Sequence, residues 1–390
     1  MEGDYIKINK WLTPLSWIYG LGVKLRNLLF DTGLRKSHKF KTPVISIGNI
    51  TVGGTGKTPH VEYLVRLLQE RVRVAVLSRG YKRKSKGFIV AKATTAMQDI
   101  GDEPYQMKQK FPKITVAVDK CRVDGINRLT NNDSKHSHID VVLLDDAFQH
   151  RQVKPGINIL LVDYHRLLIY DKLLPAGRLR EPLKGKSRAD IVIVTKCPKE
   201  LKPVEYRVII KALDLYPYQQ LFFSTLDYEQ PKPVFKDAQA LDGDNALSNT
   251  NVLLLTGIAS PRQLAEDLMP QVKSITPLTF GDHHAFNFND IVLLDETFSE
   301  MPSPKCIITT EKDAVRLLTT EELSDDIRQH LYQIPIRISF LLDQQEAFDQ
   351  FIIDYVQTNV RRRIKPKAKD EHKTKNARKS NNKSRTIKFN

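Results

Sequence analysis

The stretch Pro43-Val-Ile-Ser-Ile-Gly48-Asn-Ile-Thr-Val-Gly-Gly-Thr-Gly-Lys-Thr-Pro59 decides how the rest of the chain is read. Pro43–Gly48 is a short β-branched run of the kind buried on both faces of a sheet, and it passes straight into a glycine-rich turn. Thr58 to Glu70 then places Val61, Leu64, Val65 and Leu68 on one helical face. Strand, glycine-rich turn, Gly-Lys-Thr and helix is the context of a phosphate-binding loop. Gly53, Gly54 and Gly56, with Thr51, Val52 and Thr55 between and before them, let successive backbone N–H groups curl around phosphate oxygens. The helix N-terminus adds partial positive charge. Lys57 is placed to reach the β- and γ-phosphates, and the Thr58 hydroxyl to ligate Mg²⁺. Pro59 is harmless in a first turn. One departure stands out: the usual pattern has glycine where this chain has Thr51.

Working outward, Val72–Leu77, Ile114–Val118, Ile139–Leu144, Ile157–Val162 and Ile191–Val194 read as further apolar strands separated by helical segments. Buried strands alternating with helices predict a parallel sheet in an α/β layer fold. Ile139–His150 ends its strand in Asp145-Asp146, and in P-loop proteins an Asp at such an end helps hold Mg²⁺. In extended chain two adjacent acids point to opposite sides, which predicts different roles for the pair. The pattern loosens near 200–220, where a hinge is expected. Val252–Leu255, Cys306–Thr309 and Ile334–Phe340 then read as strands of a second, smaller unit.

Charge sorts by position. The 390 residues carry a formal net charge of +16, but residues 1–41 hold 8 basic and 3 acidic side chains and residues 361–390 hold 13 and 2. Residues 42–360 hold 40 of each and are neutral. A neutral body argues against a groove-reading nucleic-acid fold, and no specific nucleic acid is expected. The basic tail from Arg361 has the composition of disorder; membrane adhesion, loose RNA binding and a merely solvated tail all fit it. Cys121, Cys197 and Cys306 are scattered, which supports neither a disulfide framework nor a zinc site. Near the start, Leu15, Ile18, Gly22, Leu25 and Leu29 recur with helical spacing, joined by Trp11, Trp17 and Tyr19 and edged by lysines and arginines. The uncharged run Trp11–Val23 is short of the ~20 residues of a membrane span, and no signal peptide is expected. An interfacial helix on an anionic membrane and an ordinary core-packed first helix fit these residues equally.

Taken together, Gly48–Pro59, Ser78-Arg-Gly-Tyr81, Gly101-Asp-Glu-Pro104, Asp145–His150, Leu174–Pro182, Asp282-His283 and Thr310-Glu-Lys-Asp-Ala-Val-Arg316 resemble the tetraacyldisaccharide 4′-kinase (lipid A 4′-kinase) family. The resemblance implies a P-loop NTPase-like three-layer α/β/α domain with a second, smaller α/β/α domain closing over the site. It implies transfer of phosphate from ATP, with Mg²⁺, to the 4′-hydroxyl of an acylated glucosamine disaccharide 1-phosphate. The setting it implies is the cytoplasmic face of the bacterial inner membrane. On this basis the chain divides into a membrane-associating region 1–41, a kinase domain 42–205, a closing domain 206–360 and a basic tail 361–390. Also implied are Asp102 as base, assisted by His283, Glu181 as a Mg²⁺ ligand beside Thr58 and Asp145, and Glu103, Arg122, Gln149, His150 and Arg180 as site-lining residues. Where the family commonly has glycine after the two acids, this chain has Ala147; if that position needs a positive φ, alanine costs about 1 kcal/mol. A P-loop switch protein is the rival reading, but Val194-Thr-Lys-Cys197 lacks the Asn and Asp of a guanine-reading loop.

Overall fold

A computed structural model describes residues 8–131, 138–236, 238, 241, 247–258, 261–282, 284–320 and 322–364. His283 and the tail from 365 onward lie outside them. In chain order the strands are β1 (Val44–Gly48), β2 (Val74–Ser78), β3 (Ile89–Val90), β4 (Thr115–Val118), β5 (Val141–Asp145), β6 (Ile157–Asp163), β7 (Ile191–Thr195) and β8 (Gln220–Tyr228). They continue as β9 (Lys232–Pro233), β10 (Asn251–Thr256), β11 (Ser274–Thr279), β12 (Lys305–Thr310), β13 (Leu331–Ile334) and β14 (Ile336–Phe340).

Two sheets form, each flanked by helices, giving two α/β units. The larger has nine strands in the order β14-β8-β7-β6-β1-β5-β2-β4-β3, and the smaller has five in the order β11-β10-β12-β13-β9. The centre of the large sheet is parallel, with β1 between β5 and β6. Its residues are apolar on both sides: Ile45, Ile47, Val142, Leu143 and Leu161 are fully buried. The Lys57–Leu68 helix covers one face through Val61, Leu64, Val65 and Leu68. The C-terminal Gln345–Ile364 helix returns to the same face, where Phe348 stacks on Phe340 and Tyr63 donates to Asp349 (2.7 Å). That helix runs four residues into the stretch expected to be tail.

Sheet pairing corrects the expected boundary at 205/206. β8 and β14 belong to the large sheet, so the second unit is 229–335, inserted between them. The run Ile334–Phe340, read as one strand, is two: Pro335 divides β13 in the small sheet from β14 in the large one. The two crossing segments pair antiparallel, with Tyr228 opposite Ile336, Glu229 N–H donating to the Pro335 carbonyl (2.9 Å), and Pro233 opposite Tyr332. A two-stranded ribbon therefore runs through the junction.

Candidate active site

The glycine-rich turn leaves β1 at the carboxyl edge of the parallel strands, where open α/β sheets bind ligands. Gly53 (φ +118°) and Gly56 (φ +78°) take left-handed conformations that favour glycine. Thr51 does not: it lies in an antiparallel bridge with Leu179, an extended conformation open to any residue. Val52 N–H donates to the Arg178 carbonyl and Arg180 N–H to the Ile50 carbonyl, both at 2.7 Å. The first half of the turn is thus zipped to the Leu174–Pro182 segment, and glycine is not needed at 51. Asn49 Nδ2 braces the turn by donating to Thr55 Oγ1 (2.8 Å). His60, fully buried one turn into the helix, donates from Nδ1 to the Gly56 carbonyl (2.7 Å) and accepts from the Ser224 hydroxyl at Nε2 (3.0 Å). Burial pulls its pKa down to about 4, so the ring is neutral and the tautomer follows from these partners.

A cleft of about 950 Å³ opens above this turn. Val52–Thr58 line its floor, with Asp145 and Asp146 beside them. Asp145 reaches this position because β5 runs parallel to β1 in a register that pairs it with Ile47. The chain then turns sharply: Asp146 has φ +47°, so it leaves the strand and its side chain also enters the cleft. The alternation expected of extended chain stops at this residue. Their environments still separate them. Burial, with Glu103 and Asp146 close by, pushes the Asp145 carboxyl up to about 7 against the pull of Lys57 and Arg122. Burial works on Asp146 too, but Lys57 (3.8 Å) and Arg180 (3.2 Å) outweigh it and hold its carboxyl below the ordinary range. Ala147 is buried and has no positive φ, so the left-handed position is Asp146 and the expected penalty does not arise.

Cations surround this pair. Arg122 is buried and donates to the Asp119 carbonyl (2.8 Å) and the Asp145 carbonyl (3.3 Å). Arg180 also donates to Gln149 Oε1 (3.3 Å), and Gln149 Nε2 to the Asn49 carbonyl (2.7 Å). Burial, then Arg122, Arg26 and Arg79, drive the His150 pKa down to about 4. The neutral ring keeps a buried Nε2 with no hydrogen-bond partner.

The second unit closes the cleft from above with Asp282, Thr310, Glu311 and Lys312. Lys312 lies 3.2 Å from Asp282 and 3.7 Å from Glu103. From the other side, Tyr19, Val23 and Arg26 of the Thr13–Asp31 helix reach the cleft. That helix docks by its polar groups: Ser16 donates to the Leu173 carbonyl (3.0 Å), Tyr19 to the Arg180 carbonyl (2.8 Å) and Arg26 to the Gln149 carbonyl (2.7 Å). Its apolar residues face outward: Trp17, Ile18 and Leu21 are 70–73% exposed, and Trp11 just ahead of it is 93% exposed. The described part of the chain contains no helix long and apolar enough to cross a membrane.

Most of the residues expected at the site gather here: Val52–Thr58, Glu103, Arg122, Asp145, Asp146, Gln149, His150 and Arg180 all line the cleft. Three do not. Asp102 begins the Asp102–Lys110 helix at the cleft's edge, where its Oδ1 accepts from Glu103 N–H (3.0 Å) and its Oδ2 from Arg316. Glu181 is buried beside the lining residue Arg180 without lining the cleft itself, 2.9 Å from Arg188 and within reach of Asn27. His283 lies outside the described residues. Arg26, Arg79, Lys312 and Arg316 carried no assigned role; for the last two, the signal was present in the unassigned Thr310–Arg316 segment.

Asp145 supplies a test of the metal. One of its carboxylate oxygens is buried without a hydrogen-bond partner, and burial with Glu103 and Asp146 close by raises its pKa despite Lys57 and Arg122. No three His, Cys, Asp or Glu among the described residues form a ready cage. Mg²⁺ binds through one or two carboxylates plus phosphates and water, and Asp145 with the Thr58 hydroxyl at the cleft offers donors of that kind.

Against known proteins, residues 8–357 match the family described as tetraacyldisaccharide-1-P 4′-kinase. The chain belongs to this family. The tetraacyldisaccharide 4′-kinase of Phocaeicola vulgatus is 57% identical over 366 residues, covering 93% of this chain and 99% of the relative. That of Porphyromonas gingivalis is 44% identical over 359 residues, covering 91% and 99%. Among solved structures, the "apo" form of LpxK from Aquifex aeolicus in complex with ATP aligns with a TM-score of 0.66 at 29% identity, covering 88% of this chain and 98% of that one. Like other tetraacyldisaccharide 4′-kinases, the chain is a phosphotransferase with an alcohol acceptor.

Proposed function

We propose that the cleft binds ATP and Mg²⁺ and phosphorylates the 4′-hydroxyl of a tetraacyldisaccharide 1-phosphate drawn from an anionic membrane. One observation carries the reading: the P-loop cleft and an outward-facing apolar helix share a border at Tyr19, Val23 and Arg26. A headgroup can enter the cleft there while its acyl chains stay with the apolar face. Exposed apolar patches of this kind mark interaction surfaces, and basic neighbours such as Lys24 and Arg35 add attraction to anionic lipid. On this reading the helix lies at the cytoplasmic face of the inner membrane, without spanning it.

Lys57 and the backbone of Val52–Thr58 hold the β- and γ-phosphates. Asp145 and Thr58 would hold Mg²⁺, which would neutralise charge on the transferring group. Lys57 and Arg180 restrain Asp146 beside it. Arg122 lies where its guanidinium can meet substrate anions, and the unpartnered Nε2 of the neutral His150 lies where it can form a hydrogen bond with a substrate hydroxyl. Asp102 takes the proton of the acceptor hydroxyl as its oxygen attacks the γ-phosphorus and the bond to ADP breaks. His283 assists Asp102. Reach to the acceptor follows from domain closure across the ribbon, a common device in kinases.

Transfer of label from γ-labelled ATP to the acylated disaccharide 1-phosphate, resolved by thin-layer chromatography, tests the reading. Lys57→Ala and Asp102→Ala, with native circular dichroism, are expected to lose at least about a hundredfold in rate. Near-normal transfer by either variant refutes its assigned role, and no transfer by the parent refutes the function.

A further inference from the structure

Three ion pairs join the Asp102–Lys110 helix to the Glu311–Leu317 helix of the second unit. They are Lys110 with Glu311 (2.7 Å), Glu103 with Lys312 (3.7 Å) and Asp102 with Arg316. The first two have side chains 16–30% exposed. The third differs. The Arg316 side chain is 7% exposed and that of Asp102 is 13% exposed. Arg316 meets three acceptors at once: Asp102 Oδ2, Asp313 Oδ1 (2.7 Å) and the Gly257 carbonyl (3.3 Å).

Asp313 is fully buried and fixed in turn. Its Oδ2 accepts from Gly257 N–H (2.9 Å) and from the Thr310 hydroxyl (2.8 Å), and Thr310 caps the helix. The guanidinium is therefore held from behind by the second unit's own framework and presents its remaining edge to Asp102 in the first unit. Gly257 follows β10, and its backbone lies against Gly281 at the head of Gly281-Asp-His-His284. A Cβ at 257 would sit 3.0 Å from Asp313 Oδ1. The packing leaves Arg316 little freedom to turn elsewhere.

A lone lysine could neutralise Asp102 but could not span three acceptors in a plane; that is what the arginine fork supplies. Stability alone does not explain the arrangement, because a buried ion pair often does no better than apolar packing. We infer that Arg316 is a positioning residue that aims the Asp102 carboxylate and makes its alignment conditional on docking of the second unit. The inference rests on the reading of Asp102 as the base. When the second unit swings away, Arg316 leaves with it, and Asp102 loses this hydrogen bond to its Oδ2.

The test uses the full chain with Arg316→Met, Arg316→Lys, Asp102→Asn and the Asp102→Asn/Arg316→Met double variant. Acceptor phosphorylation gives kcat and the KM for ATP, with single-turnover measurement at high enzyme for slow variants. Arg316→Met is expected to lower kcat by about ten- to a hundredfold with KM for ATP within about twofold, as for an interaction made only on the way to the transition state. Arg316→Lys should recover part of the loss. The double variant should be no slower than Asp102→Asn, because Arg316 then has no base to aim. A kcat for Arg316→Met within threefold of the parent overturns the inference. So does a double variant slowed, relative to Asp102→Asn, by the factor that Arg316→Met imposes on the parent. If Asp102→Asn is too slow to measure, an Arg316→Met loss shared with KM for ATP, and not relieved in Arg316→Lys, overturns it as well. Near-normal turnover by Asp102→Asn would instead refute the base assignment itself.

Discussion

Replacing His60 by glutamine probes how the P-loop is held, and its effect depends on pH in a calculable way. His60 bridges the Gly56 carbonyl and the Ser224 hydroxyl beneath the large sheet's carboxyl edge. Its pKa falls from 6.5 to about 4 on folding. The folded protein thus refuses a proton that the unfolded chain accepts. Stability from the neutral ring is present above pH 6.5 and is lost as pH falls toward 4, with the slope given by the proton difference between states. By pH 5 that loss amounts to about 2 kcal/mol. At pH 7.5, glutamine gives up well-formed hydrogen bonds at a cost of about 1–2 kcal/mol. The two stability curves, from urea unfolding at pH 7.5, 6.5, 5.5 and 5.0, should therefore converge toward pH 5. His150 titrates in the same window, but it is present in both proteins and cancels from the difference. Loss of the brace on the Gly56 carbonyl should also raise the KM for ATP several-fold while leaving kcat nearly unchanged. Parallel loss of stability in parent and variant between pH 7.5 and 5 would refute the reasoning.

Other outcomes follow from the same geometry. Asp145→Asn removes a carboxyl raised from 3.8 to about 7; because the unfolded chain ionises first, its burial costs the fold progressively as pH rises from about 4 to 7 and in full above that. In EDTA at pH 8 the variant should unfold at higher temperature than the parent, with a gain of up to about 4 kcal/mol, while phosphoryl transfer collapses; a lower midpoint would contradict the assignment. Trp17→Glu/Leu21→Glu changes two outward-facing side chains, so sedimentation with vesicles of anionic phospholipid should fall sharply while the unfolding midpoint hardly moves. Unchanged sedimentation would remove the membrane role of the helix. Ala147→Gly should leave turnover unaltered and lower stability by about 0.5–1 kcal/mol, because Ala147 already fits its backbone and glycine adds unfolded-state entropy. A large gain in turnover would show that the alanine does strain the acids.

Local pattern carried the reading wherever the physics was local. β-branched runs marked the central strands of the large sheet, and the strand-turn-helix order around Gly53–Thr58 marked the phosphate site. Both depend on neighbours in sequence. Reading failed where a residue's partner lies far along the chain. Glu181 sits in Leu174–Pro182 beside Arg180, yet its partners are Arg188 and Asn27 of the Thr13–Asp31 helix. Asp146 breaks strand alternation because the chain turns left-handed there, which no spacing announces. Arg316 reaches Asp102 across 214 residues of chain. Pro335 was visible within the Ile334–Phe340 run, and its meaning as a break between two sheets became clear only from the pairing on either side.

The paired strands at the junction make the second unit an insertion with adjoining entry and exit. Tyr228 and Ile336 are cross-strand partners, so removing 229–335 and joining them through a two-residue Asn-Gly turn would leave an ordinary β-hairpin at the sheet edge. The remaining chain would keep the P-loop, both acids and the C-terminal helix on one continuous core. In architectural terms the nucleotide-binding half is the host and the closing half a guest, so the two can be separated without cutting the sheet that builds the phosphate site.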